Sequence, residues 1–411
     1  MRYGLIGEKL RHSFSSLIHT ELTGEPYELC EIPKDKLSAF IKEGNFLGIN
    51  VTIPYKEAVI PYLDYIDPIA KRIGAVNTVV KKDGRLFGYN TDVYGLKSLI
   101  EHIGIKLKGK CVAILGTGGT SKTARAVAEE LGAKEVLTVS RTEKIGTVTY
   151  EELAKRGADI EVVVNTTPVG MYPSTDASPV DIKDFPRLLG VVDAVYNPLR
   201  TELVLSARDN GIPTDGGLFM LAAQGVRASE IFHSKEYPEG TVERIYKKLL
   251  RESENTVLIG MPSSGKSSVG RVLAELLSRE FLDTDELIRE RAGMEISEIF
   301  EVLGEEHFRL LESEVIREVS KLSGKVIATG GGAVLREENV RALRKCARLF
   351  FLDRPLELLR PTADRPLSSD VSKLEKRYRE RYPIYSSVCD EKIDGSGSVC
   401  RVAELIAESL K

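Results

Sequence analysis

Short apolar runs alternate with amphipathic helical stretches along the whole chain. Seven of these runs have the length of buried strands, and they span residues 111–115, 135–139, 160–164, 191–195, 257–259, 326–328 and 349–352. Apolar runs of this length that are separated by helices are typical of parallel sheets with helical crossovers. The pattern therefore predicts an α/β fold.

Two glycine-rich segments, at 116–119 and 260–265, each follow an apolar run and precede a helix. Their chemistry differs, so we do not expect an internal repeat. A polar helical run at 242–254 leads directly into the strand before the second segment, which predicts a domain boundary near 250–255 with almost no linker. We predict three domains, formed by 1–98 together with 216–250, by 99–215, and by 255–411.

The composition is that of a globular protein with a sizeable core. Of the 411 residues, 42% are hydrophobic and 29% are charged, with a net charge of -3, which excludes a mainly disordered chain. Neither half is basic, so we expect no nucleic-acid partner. No apolar run reaches the roughly 18 residues of a membrane span, and the five scattered cysteines include no C-x-x-C pair. With no signal-peptide pattern, we expect a cytoplasmic protein without a membrane partner, a disulfide framework or a zinc site.

The first glycine segment has the features of a dinucleotide site. Its glycines permit a tight turn that brings backbone N–H groups to a pyrophosphate at the N-terminus of a helix predicted at 122–131. The spacing departs from the commoner G-x-G-x-x-G pattern, so a plain tight turn is an equally open interpretation of these residues alone. The predicted dinucleotide contacts are Gly116, Thr117, Gly118, Gly119 and Thr120.

The next apolar run ends in Ser140-Arg141-Thr142. An NAD site often has an acidic residue here to bind the ribose 2′-hydroxyl, whereas an arginine suits a 2′-phosphate. Ser140, Arg141 and Thr142 therefore favour NADP over NAD. A solvated surface charge is the alternative interpretation of Arg141.

Four short polar clusters occur within residues 1–98, at 12–15, 50–56, 74–78 and 88–92. The first contains two serines two residues apart, which we expect on the same side of an extended segment. Together the clusters supply many neutral hydrogen-bonding groups, one lysine and one aspartate, a set that suits a small polyhydroxylated substrate. A lysine paired with an aspartate can transfer a proton during carbonyl reduction. Each cluster alone is also explained by turn or capping chemistry.

In this order the clusters resemble the shikimate dehydrogenase family. The resemblance extends over residues 1 to about 250, through 165–171, Tyr196-Asn197-Pro198 and Asp215-Gly216-Gly217. It implies a substrate-binding domain, a Rossmann NADP domain, and reversible NADPH-dependent reduction of 3-dehydroshikimate at its ring ketone.

The same resemblance assigns a role to each polar cluster. It implies that Lys56 is the catalytic acid and base and that Asp92 orients it. The residues implied to hold the substrate are Ser13 and Ser15 at its carboxylate, and Thr52, Asn77, Asp92 and Gln224 at its hydroxyls, with Lys56 beside them. Gln224 is the only glutamine in the chain. The chain departs from the family at Ser140, where asparagine is common.

The second glycine segment fits the full G-x4-G-K-[ST] pattern of a P-loop, between an apolar run and a helix predicted at 268–277. Backbone N–H groups of such a loop surround the phosphates, Lys266 reaches the β and γ oxygens, and Ser267 binds Mg²⁺. The predicted ATP contacts are Gly260, Met261, Pro262, Ser263, Ser264, Gly265, Lys266, Ser267 and Ser268.

Polar residues that follow the P-loop indicate where an acceptor binds. Asp283 and Asp285 end a predicted strand, and Arg309 and Glu312 are one helical turn apart. Three glycines at 330–332 follow another strand and permit a ligand to lie against bare backbone. A surface ion pair and a flexible loop are the alternative interpretations of the last two features.

In this order these features resemble shikimate kinase across residues 255–411, which implies a P-loop kinase domain of the nucleoside-monophosphate-kinase-like type. Asp283 and Ser267 are implied at the Mg²⁺ site, and Arg365 in a lid at the transferring phosphate. The lid, at 360–369, is shorter than usual, and Arg360 is our candidate for the adenine contact. The residues implied to hold shikimate are Asp285 at the acceptor hydroxyl, Arg309, Gly330, Gly331, Gly332, Arg365 and Arg381.

The two resemblances rest on different residues and concern one molecule, which the first half would make and the second half would consume. We therefore expect a bifunctional shikimate dehydrogenase and shikimate kinase with NADP(H), ATP and Mg²⁺ as cofactors, and 3-dehydroshikimate and shikimate as small-molecule partners. In one alternative, one half is an inactive metabolite sensor, against which the presence of Lys56, Asp92, Lys266 and Asp285 argues. In another, the dehydrogenase half prefers quinate or NAD, against which the kinase fusion argues. The sequence leaves a homodimer open.

Overall fold

A computed structural model of the chain describes residues 2–10, 13–359 and 371–410. Contacts divide the chain into two units, Met1–Leu250 and Arg251–Lys411. None of the helices in the described ranges is long and apolar enough to cross a membrane.

The first sheet of the first unit is mixed, in the order β2-β1-β3-β5-β6-β4. Its strands are β1 (Tyr3–Gly7), β2 (Glu28–Glu31), β3 (Gly48–Val51), β4 (Tyr65–Ile66), β5 (Thr78–Lys82) and β6 (Arg85–Tyr89). Its helices are α1 (Ser15–Thr23), α2 (Leu37–Glu43) and α3 (Pro68–Ile73). Strand β5 runs antiparallel to β3 and pairs Thr78 with Asn50, which brings two polar clusters of the sequence together.

The second sheet of the first unit is wholly parallel, in the order β12-β11-β10-β7-β8-β9. Its strands are β7 (Cys111–Leu115), β8 (Glu135–Ser140), β9 (Val148–Thr149), β10 (Val162–Asn165), β11 (Gly190–Asp193) and β12 (Thr214–Asp215). The remaining helices before the second unit's sheet are α4 (Asp92–Ile103), α5 (Gly119–Glu130), α6 (Tyr150–Lys155), α7 (Glu202–Asp209), α8 (Leu218–His233) and α9 (Thr241–Ser253), which crosses the boundary between the units. The position predicted to separate 1–98 from 99–215 therefore falls inside α4.

The second unit contains one parallel sheet, in the order β14-β15-β13-β16-β17. Its strands are β13 (Asn255–Ile259), β14 (Phe281–Asp283), β15 (Val326–Ala328), β16 (Ala347–Asp353) and β17 (Glu391–Asp394). Its helices are α10 (Lys266–Leu277), α11 (Thr284–Ala292), α12 (Ile296–Glu298), a short π-helix (Ile299–Leu303), α13 (Gly304–Val319), α14 (Glu337–Arg344), α15 (Val371–Val388) and α16 (Val399–Ser409).

Alternating burial explains why the apolar runs form these sheets. In β7, Val112 and Ile114 lie in one core while Ala113 and Leu115 lie in another, because successive residues of a strand point to opposite faces and helices cover both faces. All seven apolar runs form strands, which confirms the α/β fold. The run at 191–195 is shorter as a strand, because the Asp193 carboxylate accepts a hydrogen bond from the Val195 N–H at 3.0 Å and turns the chain.

Candidate active sites

The first unit contains a polar cavity of about 280 Å³, lined partly by residues at the carboxyl ends of β1 and β3. Every side chain that the sequence predicted to hold the substrate lines this cavity, namely Ser13, Ser15, Thr52, Lys56, Asn77, Asp92 and Gln224. Four separate segments of the first 98 residues and helix α8 therefore meet at one place.

Lys56 and Asp92 form an ion pair at the wall of this cavity. The Lys56 Nζ lies 2.6 Å from the Asp92 Oδ2, and the two side chains are 23% and 12% exposed. The Asn77 amide donates to the other carboxylate oxygen at 2.9 Å. Because an ammonium group has three donors and Asp92 occupies one, Lys56 keeps donors for a ligand in the cavity.

A buried hydrogen-bond network holds Asn77, which in turn holds Asp92. The Tyr27 hydroxyl donates to the Asn50 Oδ1 at 2.7 Å, and the Asn50 amide donates to the Thr78 Oγ1 at 3.1 Å. Thr78 in turn donates to the Asn77 Oδ1 at 3.0 Å. The chain of bonds fixes the Asn77 amide that holds Asp92, so the geometry of the Lys56–Asp92 pair depends on residues that do not line the cavity, such as Tyr27.

The serine pair does not lie on an extended segment, and that prediction is wrong. Ser15 is the first residue of α1, and its N–H donates to the Ser13 Oγ at 3.2 Å. Phe14 is the N-cap of this helix, and its carbonyl accepts the first helical hydrogen bond, from the Ile18 N–H. Both serines still line the cavity, while His12 lies outside the described residues.

Tyr196 is a cavity residue that the sequence analysis left without a role. It follows β11 and lines the cavity, and burial raises the pKa of its hydroxyl. The signal was present in the Tyr196-Asn197-Pro198 motif. The pattern of apolar and polar residues gave no reason to expect that motif in the same cavity as Lys56.

The glycine turn after β7 leaves room for a ligand. Gly116 has a φ of +111°, and a Cβ there would lie 2.9 Å from the Thr166 Oγ1. A Cβ at Gly118 or Gly119 would meet nothing within 4 Å, so protein packing does not require these two glycines. Helix α5 begins at Gly119, earlier than predicted, and its first N–H groups lie in the turn itself. This arrangement fits a dinucleotide pyrophosphate.

The loop after β8 lies next to the glycine turn. Ser140 is buried at the end of β8, whereas Arg141 and Thr142 are exposed. The Lys144 Nζ donates to the Thr117 Oγ1 at 3.1 Å, which ties this loop to the turn. A 2′-phosphate bound at the loop would therefore meet the charges of Arg141 and Lys144.

The P-loop of the second unit connects β13 to α10, which begins at Lys266, two residues before the predicted start. Gly260, Ser263 and Gly265 have positive φ values, as a tight anion-binding loop requires. The Lys266 Nζ donates to the carbonyls of Gly260 at 3.0 Å and Met261 at 2.8 Å. The lysine thus lies over the loop, close to where phosphates bind.

Ser267 and Asp283 provide oxygen atoms suited to Mg²⁺. The Ser267 hydroxyl donates to the Asp283 Oδ2 at 2.6 Å, and hard oxygen ligands are those that Mg²⁺ prefers beside nucleotide phosphates. No group of three or more His, Cys, Asp or Glu side chains that could hold a metal occurs in the described ranges. A magnesium ion here would therefore depend on phosphate and water oxygens as well.

A second cavity, of about 270 Å³, lies beside the P-loop in the second unit. The predicted acceptor contacts within the described residues all line it, namely Asp285, Arg309, Gly330, Gly331, Gly332 and Arg381. Asp285 lies in the first turn of α11 rather than on the strand as predicted, and Asp283 caps that helix through the Asp285 N–H. Arg360 and Arg365 lie outside the described residues, as does the rest of the predicted lid.

The three glycines form a packed floor of this cavity rather than a flexible loop. A Cβ at Gly330 would lie 2.7 Å from both the Asp285 Oδ1 and the Glu312 Oε1, and one at Gly332 would lie 2.2 Å from the Arg309 Nη1. The glycines are needed because the side chains of the site occupy that space.

Arg309 and Glu312 form a buried ion pair, not a surface pair. Their closest atoms are 2.7 Å apart, and the side chains are 9% and 1% exposed. Burial raises the pKa of Glu312, and the Arg309 charge offsets part of that rise. The Glu312 Oε1 is buried and has no hydrogen-bond partner among the described residues. Glu312 and Arg377 also line the cavity, although neither was predicted as a site residue.

Comparisons with known proteins agree with this division of the chain. The family models described as "Shikimate dehydrogenase substrate binding domain" and "Shikimate kinase" match residues 5–79 and 262–411. The shikimate dehydrogenase (NADP(+)) of Clostridium perfringens (strain 13 / Type A) is 39% identical over 265 residues, 60% of this chain and 97% of that protein.

Two solved structures extend the similarity to the fold. A chorismate mutase/shikimate 5-dehydrogenase fusion protein from Clostridium acetobutylicum is 35% identical with a TM-score of 0.57, over 60% of this chain and 96% of that chain. The shikimate 5-dehydrogenase from Thermus thermophilus, in complex with NADP(H) and shikimate, is 33% identical with a TM-score of 0.54, over 60% of this chain and 99% of that chain. The matches confirm both family resemblances that the sequence motifs predicted.

Proposed function

The chain belongs to the shikimate dehydrogenase family and ends in a shikimate kinase domain, and on that premise we propose that it catalyses two successive reactions. The first is the reduction of 3-dehydroshikimate to shikimate by NADPH, and the second is the phosphorylation of shikimate to shikimate 3-phosphate by ATP. At the coarser level the chain is a bifunctional enzyme of the shikimate pathway, with NADP, ATP and Mg²⁺ as its cofactors.

The observation that carries the proposal is the complementarity of both cavities to one kind of molecule. Each cavity combines cationic or hydroxyl groups for a carboxylate with carboxylate or amide groups for ring hydroxyls. The similar Thermus thermophilus protein holds NADP(H) and shikimate, which supports shikimate as the ligand of the first cavity.

In the proposed reduction, NADPH supplies the hydride. Lys56 donates a proton to the oxygen of the ketone as negative charge develops there, and Asp92 holds the ammonium group toward that oxygen. Asn77 keeps Asp92 in place through its second carboxylate oxygen. Ser13 and Ser15 would orient the substrate by its carboxylate, so the ketone faces Lys56.

In the proposed phosphorylation, Asp285 accepts the proton of the attacking hydroxyl. Bound Mg²⁺ would be held by Ser267 with Asp283 and would neutralise phosphate charge. Lys266 at the P-loop and the arginines of the cavity stabilise the charge on the transferring phosphoryl group and hold the acceptor in line. Positioning and charge therefore provide most of the rate enhancement.

We further propose how these tasks are divided along the chain. Residues 1–98 and 216–250 would bind the dehydrogenase substrate, 99–215 would bind NADP, and 255–411 would form the kinase. The location of the two cavities in separate units supports the separation of the kinase from the rest of the chain.

Steady-state kinetics with paired substrates test the proposed specificity. We expect higher kcat/KM for shikimate than for quinate and for NADP⁺ than for NAD⁺ in the oxidative direction, and ATP-dependent phosphorylation of shikimate. A preference for quinate or NAD⁺ would support the catabolic alternative. Turnover by only one half, with shikimate binding retained by the other, would support the sensor alternative.

A further inference from the structure

The acceptor cavity of the second unit contains an arginine to which the sequence analysis gave no role. Arg377 lies on α15, four residues before Arg381, so the two side chains lie on the same face of the helix. Both line the cavity together with Arg309. The Arg377 Nη1 is buried and has no hydrogen-bond partner among the described residues.

The other three arginines that line the cavity, Arg289, Arg309 and Arg381, are already engaged by the protein. Arg289 donates to Glu295 at 3.4 Å. Arg309 donates to Glu312 at 2.7 Å and to Glu305 at 3.1 Å. Arg381 donates to the Gly331 carbonyl at 3.0 Å. Burial lowers the pKa of the Arg377 guanidinium, and the nearby Arg381 charge lowers it further. An anion in the cavity would therefore relieve repulsion among these cations.

The cavity also contains an unpaired acceptor. The Glu312 Oε1 is buried without a partner in the described part of the chain, and it lies beside Asp285 at the Gly330 floor. Buried polar groups without partners are costly. A ligand that carries both a hydroxyl donor and an anionic acceptor would satisfy Glu312 and Arg377 together.

We propose that Arg377 binds the carboxylate of the phosphoryl acceptor, as a third guanidinium beside Arg309 and Arg381. The proposal rests on the kinase activity proposed above and names a specificity residue for that same cavity. A carboxylate has about four lone-pair positions, enough to accept from more than one arginine. The third arginine would make the site select an acidic polyol over a neutral one.

Replacing Arg377 with glutamine tests the proposal. We expect R377Q to raise the KM for shikimate in the kinase reaction about 10- to 100-fold, as expected for loss of a charge-assisted hydrogen bond. The KM for ATP and the dehydrogenase rate should stay unchanged. The matched control is R379Q, because Arg379 lies on the same helix but is exposed and paired with Glu375 at 2.6 Å. R379Q should behave as the wild type.

A second measurement separates carboxylate recognition from a general effect on the cavity. Methyl shikimate lacks the negative charge, so the wild type should have a higher kcat/KM for shikimate than for this ester. In R377Q the ratio of the two kcat/KM values should fall about 10- to 100-fold. Equal losses on both acceptors, or no loss on either, would overturn the role of Arg377. A wild-type chain that phosphorylates neither compound would instead overturn the proposed kinase function, and the two failures are therefore distinguishable.

Discussion

Replacement of Lys56 with methionine is expected to stop carbonyl reduction while leaving the kinase reaction intact. Methionine keeps an unbranched side chain but removes the ammonium group, which lies 2.6 Å from Asp92. A positioned general acid contributes about 10²- to 10⁴-fold in rate, equal to about 3 to 5 kcal/mol of activation free energy. We therefore expect dehydrogenase kcat to fall about 1,000-fold.

The same change should cost little stability. The Lys56 and Asp92 side chains are 23% and 12% exposed. Solvent therefore screens the pair, and it should contribute to the free energy of unfolding about as much as a surface pair, which is about 0–1 kcal/mol, rather than as much as a fully buried pair. We estimate a loss of about 1 kcal/mol in the variant. The Asn77 amide also donates to Asp92, so we expect the carboxylate to keep a partner in the variant. A typical domain is stable by about 5–15 kcal/mol, so the variant should remain folded.

The assay follows NADPH absorbance for the dehydrogenase and ADP release for the kinase in one preparation. Lys97→Met is the matched control, because Lys97 on α4 forms a surface ion pair with Glu130 on α5, at 2.8 Å. It should leave both rates unchanged. A Lys56→Met dehydrogenase rate within tenfold of the wild type, or an equal loss of both activities, would refute this role of Lys56.

Three further predictions concern the phosphate loop, the glycine floor and a buried histidine. Lys266→Ala should abolish phosphorylation and spare reduction; persistent ATP-dependent product would remove Lys266 from the mechanism. Gly332→Ala places a Cβ 2.2 Å from the Arg309 Nη1 and should raise the KM for shikimate in the kinase assay more than the KM for ATP; an unchanged KM would argue against the packed floor. Burial lowers the pKa of His19 to about 3, so unfolding takes up a proton and the stability of the first unit should fall as pH drops from about 6.5 toward 3. His19→Phe should flatten that part of the pH profile in urea unfolding, and an unchanged slope would contradict the assignment.

The strands and the phosphate-binding turns were predictable because they depend on local sequence. A run such as 111–115 is buried on both faces and therefore apolar at every position, and the P-loop has a fixed spacing. Lys56 and Asp92 were also found, although only the fold brings them within 2.6 Å. We identified both residues from the order of the motifs along the chain, because their spacing in the sequence does not show that they are in contact.

Features that depend on tertiary packing were not predictable in the same way. Glycine is required at 330 and 332 because side chains from other elements, such as Arg309, occupy the space that a Cβ would need. Arg377 lies in a charged helix, and only the structure shows which face of that helix lines the cavity. Its spacing of four residues from Arg381 was the one signal that the sequence offered. The helical start at Ser15 was missed because the N-cap residue is Phe14, whose side chain makes no capping hydrogen bond.

Mass spectrometry of the products formed by the purified chain tests the central claim most directly. The reaction would contain 3-dehydroshikimate, NADPH, ATP and Mg²⁺. We predict that shikimate 3-phosphate accumulates, and that none forms when either NADPH or ATP is omitted. Accumulation of shikimate alone in the complete mixture would contradict the account, because the second unit would then lack shikimate kinase activity.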